Sequence, residues 1–315
     1  MHPAFSVIFF TTASGAGYGL LALLGASSFF GFLPAHKMLM IVSALTALAL
    51  VTGGLLSSTF HLGHPERAWR ALSQWRSSWL SREGVLALLT YLPASLLLLE
   101  WLGIMEGGAL TAYSGLAVAA LAFTTVYTTA MIYASLRSIH SWCNKWVPLN
   151  YLLFALSSGC VLLNAFLAWF GALSETLLIV TIAAVSVSAA AKVAYWRFID
   201  TSSSKSTIGT ALGVATDSNI KLTQVPHTET NYLQQEMGFA IARKHARKLR
   251  RLVIIMAFVL PLLLAASAIA VAGKFAAVCC TLAVPIVAVG IVIERWLFFA
   301  EAKHSVTLYY GAANA

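Results

Sequence analysis

Long apolar runs separated by short polar connections follow one another along the whole chain. A helix that crosses the hydrocarbon core of a bilayer needs about 20 mainly apolar residues. Eight runs reach that length: residues 4–30, 36–60, 83–102, 109–135, 149–171, 174–196, 252–273 and 275–299. Only Gly273 and Lys274 separate the last two, which indicates a tight helical hairpin. The pattern predicts an all-α, polytopic membrane protein with eight transmembrane helices, forming a single domain over residues 1–315.

The composition supports this fold class and excludes a soluble one. Hydrophobic residues make up 59% of the 315 residues and charged residues only 10%, with a mean hydropathy of +0.82. Because soluble domains carry about 25% charged residues, this chain cannot cover a water-facing surface. No basic segment precedes the first apolar run, so we expect no cleaved signal peptide. The four cysteines form no C-x-x-C pair, which argues against a thiolate-bound zinc ion or iron–sulfur cluster in this chain.

The positive charge is confined to one side of the predicted membrane domain. Eight spans place both termini on the same side as three long connections, which are residues 61–82, 136–148 and 197–251. This side carries 17 of the 20 Lys and Arg residues, whereas the opposite connections carry only Lys37 and Lys274. We therefore expect a bacterial cytoplasmic membrane protein with both termini cytoplasmic, and no nucleic-acid partner. Lys192, near the basic end of the sixth run, is expected to extend towards water.

The connection 197–251 is the only sizeable polar segment, and we interpret it as an inserted cytoplasmic loop. Its first part is rich in turn-forming residues and predicts a linker. Residues 236–251 predict an amphipathic helix with a basic face that includes Arg243, Lys244, Arg247 and Lys248. Such a helix is typical of segments that lie on anionic lipid or against a partner subunit.

The residues most suited to chemistry lie between the second and third runs. His61 ends the second run and Glu83 opens the third, so a helical hairpin brings both to the same depth. Trp69, Trp75 and Trp79 between them, with neighbouring arginines, are typical of an interfacial belt. That belt does not account for an imidazole and a carboxylate together at the membrane boundary, where a titratable pair suits a lipophilic molecule that exchanges protons. All eight histidines lie outside the runs or at their ends, so we expect no b-type haem.

Two motifs around this pair resemble a known family. The first has the pattern H-L-G-x-P-x-R-A and begins at His61, with Pro65, Arg67 and Ala68 at the matching positions. The second motif, S-S-x-L-S-x-E, ends at Glu83. Together they resemble the DmsC-type membrane anchor subunits of dimethyl sulfoxide reductases, and a weaker match covers Tyr133 to Pro148. The inserted loop is most similar to the anchor of the cytoplasmic sulfite dehydrogenase branch (SoeC-like).

The resemblance implies a division of labour between this chain and its partners. It implies a quinone, ubiquinone or menaquinone, bound near His61, Gly63, Pro65, Arg67, Ser81, Glu83 and Tyr133. It also implies docking of soluble partners on Arg70, Arg76, Arg82, Arg243, Lys244, Arg247 and Lys248. Those partners are an iron–sulfur subunit and a catalytic subunit with a molybdenum cofactor, while this chain itself holds neither haem nor metal. Electrons from cytoplasmic sulfite oxidation would then pass to the quinone pool.

Three other functions stay open at this point. The chain is alternatively the quinol-oxidising anchor of a dimethyl sulfoxide-type reductase. A small-anion transporter is an alternative of another class, although carboxylates near the middle of the membrane, which ion-coupled transport normally uses, are missing from the predicted spans. A scaffold that binds no quinone is the structural alternative.

Overall fold

The computed structural model of the chain describes residues 5–60, 62–202, 204, 206–214, 220, 240–271 and 273–310. Within these ranges, eight helices are long and apolar enough to cross a membrane. The predicted all-α, eight-span architecture is therefore confirmed. His61 and residues 221–239 lie outside the described residues, as do both ends of the chain.

The helices follow one another in an up-and-down order. In chain order the elements are α1 (Phe5–Phe30), α2 (Lys37–Thr59), a 3₁₀ segment (Pro65–Gln74), α3 (Trp79–Trp101), α4 (Ala109–Ala134), α5 (Trp146–Trp169), α6 (Glu175–Thr201), the short α7 (Ile208–Leu212), α8 (Ala240–Val253), a π-helical turn (Ile254–Val259), α9 (Leu260–Ala270), α10 (Lys274–Ala300) and a final 3₁₀ segment (Ser305–Tyr310). The seventh span runs continuously through α8, the π-helical turn and α9, from His245 to Ala270. Eight passes bring the start of α1 and the end of α10 to the same end of the bundle, called the termini end below.

The starts of two predicted spans differ from the structure by four residues or more, and the sixth span ends at Thr201 rather than at residue 196. The third span begins at Trp79 rather than at residue 83, because the Ser78 hydroxyl caps the helix by accepting a hydrogen bond from the Ser81 backbone N–H at 3.5 Å. Glu83 consequently lies a full turn inside the helix instead of opening it. The seventh span begins at His245 rather than at residue 252, so the second half of the basic segment is continuous with the membrane helix.

Helix α1 lies at the centre of the bundle, in contact with α2, α4, α5 and α10. Glycines allow its backbone to approach the neighbouring helices directly. A Cβ atom at Gly19 would overlap the Ala155 carbonyl of α5, and one at Gly159 would overlap Gly19 in return. Gly25 and Gly115 form an equivalent contact between α1 and α4. Such close helix packing is favoured in lipid, where burying apolar side chains brings little gain.

Candidate functional site at the termini end

Glu83 lies buried between α3 and α4, with only 4% of its surface exposed. Its carboxyl group is hydrogen-bonded to the hydroxyl of Thr129 on α4. The same hydroxyl lies 3.0 Å from the Thr125 carbonyl oxygen. A hydroxyl has one proton, so Thr129 either donates to an ionised Glu83 or accepts from a protonated Glu83 while donating to Thr125. The site therefore accommodates Glu83 in both protonation states without moving a helix.

The loop above Glu83 is held in place by an arginine that follows the helix cap. The Arg82 guanidinium donates to the carbonyl oxygens of Trp75 at 3.0 Å and Arg76 at 2.7 Å. It also lies 4.3 Å from the centre of the Trp79 ring. Arg70 is exposed on the 3₁₀ segment of this loop. Arg82 thus fixes the polypeptide that covers the termini end of α3.

The residues proposed from sequence for quinone binding fall into three groups in the structure. Ser81 and Glu83 are buried at the start of α3, and the Ser81 hydroxyl has no hydrogen-bond partner among the described residues. Gly63, Pro65 and Arg67 are exposed on the loop. The remaining two are His61, outside the described residues, and Tyr133, one turn beyond Thr129 on α4.

Tyr133 occupies the centre of an aromatic cluster that joins α4, α5 and α10. Its ring stacks on Tyr151 with centroids 6.0 Å apart and meets Phe298, Phe299 and Trp142 edge-on at 5.3–5.6 Å. The Trp142 indole N–H donates to the Phe298 carbonyl oxygen at 2.9 Å. Tyr133 also lies within electrostatic range of Glu83 and of Arg295. The cluster therefore connects the Glu83 site with a second set of buried charges.

That second set is an ion cluster between α6 and α10. The fully buried Glu294 carboxylate pairs with the Lys192 ammonium and the Arg295 guanidinium, which are 2% and 3% exposed. The prediction that Lys192 extends towards water is wrong, because the carboxylate of a neighbouring helix draws it inward. Arg295 lies inside α10. The rings of Tyr195 and Tyr151 cover the two cations at 4.2 and 4.1 Å. Glu294 lies about 9 Å inside the end of α10, so it is not one of the carboxylates near the middle of the membrane whose absence the sequence predicted.

A more exposed ion bridge lies beyond this cluster, at the end of the bundle. Arg250 of α8 contacts the Asp200 carboxylate at 2.7 Å and the Glu301 carboxylate at 3.0 Å. Asp200 is near the end of α6, and Glu301 directly follows α10. Burial raises the pKa of Glu301, an effect that the nearby Arg250 partly offsets. The bridge fixes the basic helix α8 to the ends of two membrane helices.

The sequence as a whole identifies the family of the protein. Residues 1–311 match the model of the DMSO reductase anchor subunit, DmsC. The chain belongs to the DmsC anchor family. It is 34% identical to a sulfite dehydrogenase subunit of Allochromatium vinosum, over 98% of this chain and 99% of that protein. No solved structure matches the chain.

Family membership and the eight helices together establish a multi-pass membrane anchor of the sulfite dehydrogenase and DMSO reductase type. Within the ranges that the structure describes, no group of three or more His, Cys, Asp or Glu residues is placed to hold a metal ion. The DmsC-family motif led from sequence to Glu83. Nothing in that motif points to Lys192, Glu294 or Arg295, and the only available signal was their position inside apolar runs.

Proposed function

We propose that this anchor subunit binds quinone at the termini end of α3 and α4 and passes to it the electrons from sulfite oxidation. The observation that carries the proposal is the arrangement of Glu83 and Thr129. A buried carboxyl group with a hydroxyl partner that serves both of its protonation states is suited to proton exchange. Reduction of a quinone to a quinol takes up two electrons and two protons, so the site must deliver protons at the place where electrons arrive.

In the proposed mechanism, each side chain has a distinct task. Glu83 releases a proton towards the quinone, and the Thr129 hydroxyl then turns from the Thr125 carbonyl to the carboxylate that is left. His61, by the family resemblance, donates a hydrogen bond to a quinone carbonyl oxygen. Arg82 keeps the loop in place, so that water reaches Glu83 only from the side of the soluble partners.

The electrons come from subunits that this chain does not contain. We propose an iron–sulfur subunit and a molybdenum catalytic subunit, docked on the loop arginines Arg70 and Arg76 and on the basic face of α8. Arg247 and Lys248 on that face are exposed, and Arg243 and Lys244 belong to the same helix. Membership in an anchor family supports such partners. The similarity to a sulfite dehydrogenase subunit supports sulfite as the electron donor.

The distribution of basic residues supports an orientation with the termini end in the cytoplasm. On this basis the protein lies in the cytoplasmic membrane and the soluble subunits are cytoplasmic. Reporter fusions after Ala315 and within residues 103–108 test the orientation. An exported C-terminus would instead favour a dimethyl sulfoxide-type reductase with its soluble subunits outside.

The quinone function is tested by comparing two electron acceptors in the same membranes. In Glu83→Gln we expect sulfite oxidation with a soluble dye to be unchanged, because the catalytic subunit is untouched. Quinone-linked turnover should fall by at least about tenfold, since the amide cannot deliver a proton. Glu66→Gln, an exposed acid on the covering loop, serves as the matched control. Equal loss with both acceptors would indicate an assembly defect, and unchanged quinone-linked turnover would refute the role of Glu83.

A further inference from the structure

An apolar slot opens on the side of the bundle between α2 and α10. It has a volume of about 220 Å³, and its floor is formed by α1 and α5. Apolar side chains line it, among them Ala13, Ala16, Leu50, Val161, Val287 and Val292. Phe9 and Val292 at its margin are exposed on the surface of the helices. The slot is therefore accessible from the lipid and shaped for an apolar ligand.

Towards the termini end, the slot continues into a small polar recess of about 20 Å³. The recess shares Thr12, Ala16, Ser158 and Ile291 with the slot and extends to Tyr151 and Arg295. The hydroxyl groups of Thr12 and Tyr151 are buried, and neither makes a hydrogen bond of good geometry among the described residues, although the Arg295 guanidinium lies close to the Tyr151 hydroxyl. By contrast, the neighbouring Thr11 donates to the Val7 carbonyl at 2.9 Å. Buried hydroxyls without such bonds are uncommon in proteins and are available to bind a ligand.

The donors around the recess define the chemistry of the ligand that it can bind. Two hydroxyls and a guanidinium suit an oxygen atom that accepts hydrogen bonds. Tyr151 is the sixth residue of α5, and Arg295 is the sixth from the end of α10. At 1.5 Å per residue, both lie about 8 Å inside the helix ends. A charged phospholipid headgroup stays at the level of the helix ends, whereas an uncharged ring with carbonyl oxygens can enter the apolar slot.

We infer that this slot is a second quinone site, with the ring between α2 and α10 and one carbonyl oxygen directed at Tyr151 and Arg295. It is distinct from the Glu83 site, because neither Glu83 nor Thr129 lines the slot or the recess.

The inference rests on the proposed function, and the rings of Tyr151 and Tyr133 connect the two sites. Tyr151, at the end of the slot, stacks on Tyr133, which lies near Glu83. Quinone in the slot is thus held beside the site where it reacts, and the long tail extends between α2 and α10 into the bilayer. The slot supplies a lateral route from the membrane to the interior of the anchor.

Gly15 provides a test that leaves the helix packing intact. It lines the recess, and a Cβ atom added to it meets no atom within 4 Å. The Cβ atom of Gly15→Leu therefore has room, and the rest of the leucine side chain should occupy the recess and the adjoining part of the slot. Gly53 of α2 also has open space around an added Cβ atom and does not line the slot, so Gly53→Leu is the matched control. Leucine favours helix over glycine at both positions.

The measurement is photolabelling of the purified complex with an azido-quinone, followed by mapping of the labelled peptides. We expect label on the slot segments of α1 and α10 as well as at the start of α3. Gly15→Leu should reduce slot labelling at least about tenfold, with labelling at α3 retained, and Gly53→Leu should change neither. Tyr151→Phe, which removes one hydrogen bond, should weaken slot labelling by roughly three- to tenfold.

Four outcomes would overturn the inference, and they are distinguishable. Slot labelling that survives Gly15→Leu would show that the recess does not bind the carbonyl oxygen of the ring. Slot labelling that excess phospholipid displaces, and unlabelled quinone does not, would assign the slot to lipid. Labelling at α3 alone would leave the proposed function standing without a second site, whereas the absence of label from both regions would refute both.

Discussion

Two buried carboxyl groups at the termini end, Glu83 and Glu294, have opposite electrostatic surroundings. Glu294 pairs with two cations, Lys192 and Arg295. Glu83 has the Thr129 hydroxyl as its hydrogen-bond partner, and no cation forms an ion pair with it in the part of the chain that the structure describes. A carboxylate buried in this way needs either a proton or a cation to balance its charge. Glu294 is balanced permanently by its neighbours, while Glu83 depends on a proton.

The comparison distinguishes a buried carboxylate that forms ion pairs, Glu294, from a buried carboxyl group that can change its protonation state, Glu83. The Glu294 cluster holds α6 against α10, because each of its members would be costly to leave alone in the membrane. Glu83 is held by a partner that tolerates a change of charge. Burial by itself therefore does not distinguish Glu83, which we propose to exchange protons, from Glu294, whereas the partners of the two carboxyl groups do.

The largest expected effect is on stability, from Glu294→Gln. This substitution leaves two unbalanced buried cations, and breaking a buried pair costs about 3–5 kcal/mol. We expect strong loss of the subunit from membranes and a lower unfolding temperature in detergent. Lys192→Met keeps the pair of Glu294 and Arg295, so its effect should be smaller. The double variant, Glu294→Gln with Lys192→Met, should be more stable than Glu294→Gln alone, because it buries one unpaired cation instead of two. The opposite order would refute the claim that Glu294 balances the charge of both cations.

The second prediction concerns Thr129, whose effect should be on turnover rather than on assembly. A hydrogen bond to a charged group contributes about 1.5–3 kcal/mol, so Thr129→Val should lower quinone-linked turnover by roughly tenfold or more. Dye-linked turnover should stay unchanged. Thr124→Val on the exposed face of the same helix is the control, because its hydroxyl donates only to the Ala120 carbonyl at 2.7 Å. If both variants behaved alike, the hydroxyl at Glu83 would have no special role.

The basic residues of α8 should give a weaker effect, which depends on salt. Replacing Arg243, Lys244, Arg247 and Lys248 together by glutamine should release the soluble subunits from membranes at moderate ionic strength. Exposed ion pairs contribute at most about 1 kcal/mol each and are screened by salt. Replacing Lys37 and Lys274, at the opposite end of the bundle, should leave the complex intact. If the fourfold variant retained the soluble subunits, the basic residues of α8 would contact lipid alone.

The smallest effect is a pH dependence at Glu301. Burial raises the pKa of this carboxyl group, so the folded state binds its proton more tightly than the unfolded state does. Stability should therefore decrease as the pH rises through this pKa, and Glu301→Gln should remove that part of the pH dependence. Thermal unfolding in detergent across the weakly acidic range measures it. An unchanged pH profile in the variant would exclude Glu301 as the group responsible.

The sequence predicted the parts of this structure that depend on local composition. Eight runs of about 20 apolar residues become helices whatever their neighbours are, and the family motif led to Glu83. The ion cluster was missed because Lys192 and Glu294 are 102 residues apart in the chain. A lysine near the end of a span can extend to water or turn to a neighbouring helix. Which of these two orientations the lysine adopts depends on how the helices are arranged. That arrangement depends in turn on contacts between distant residues, such as that of Gly19 with Gly159.

That glycine contact also determines how the molecule can move. Where two backbones touch directly, no side chain is present that could change its rotamer and let them separate by small steps. Helices α1 and α5 are therefore expected to keep their relative position. The slot can widen only if α2 or α10 moves. Pro285 lies within α10 at the level of the slot, and a proline interrupts the backbone hydrogen bonding of a helix. Entry of a bulky ring into the proposed slot would therefore bend α10 at Pro285.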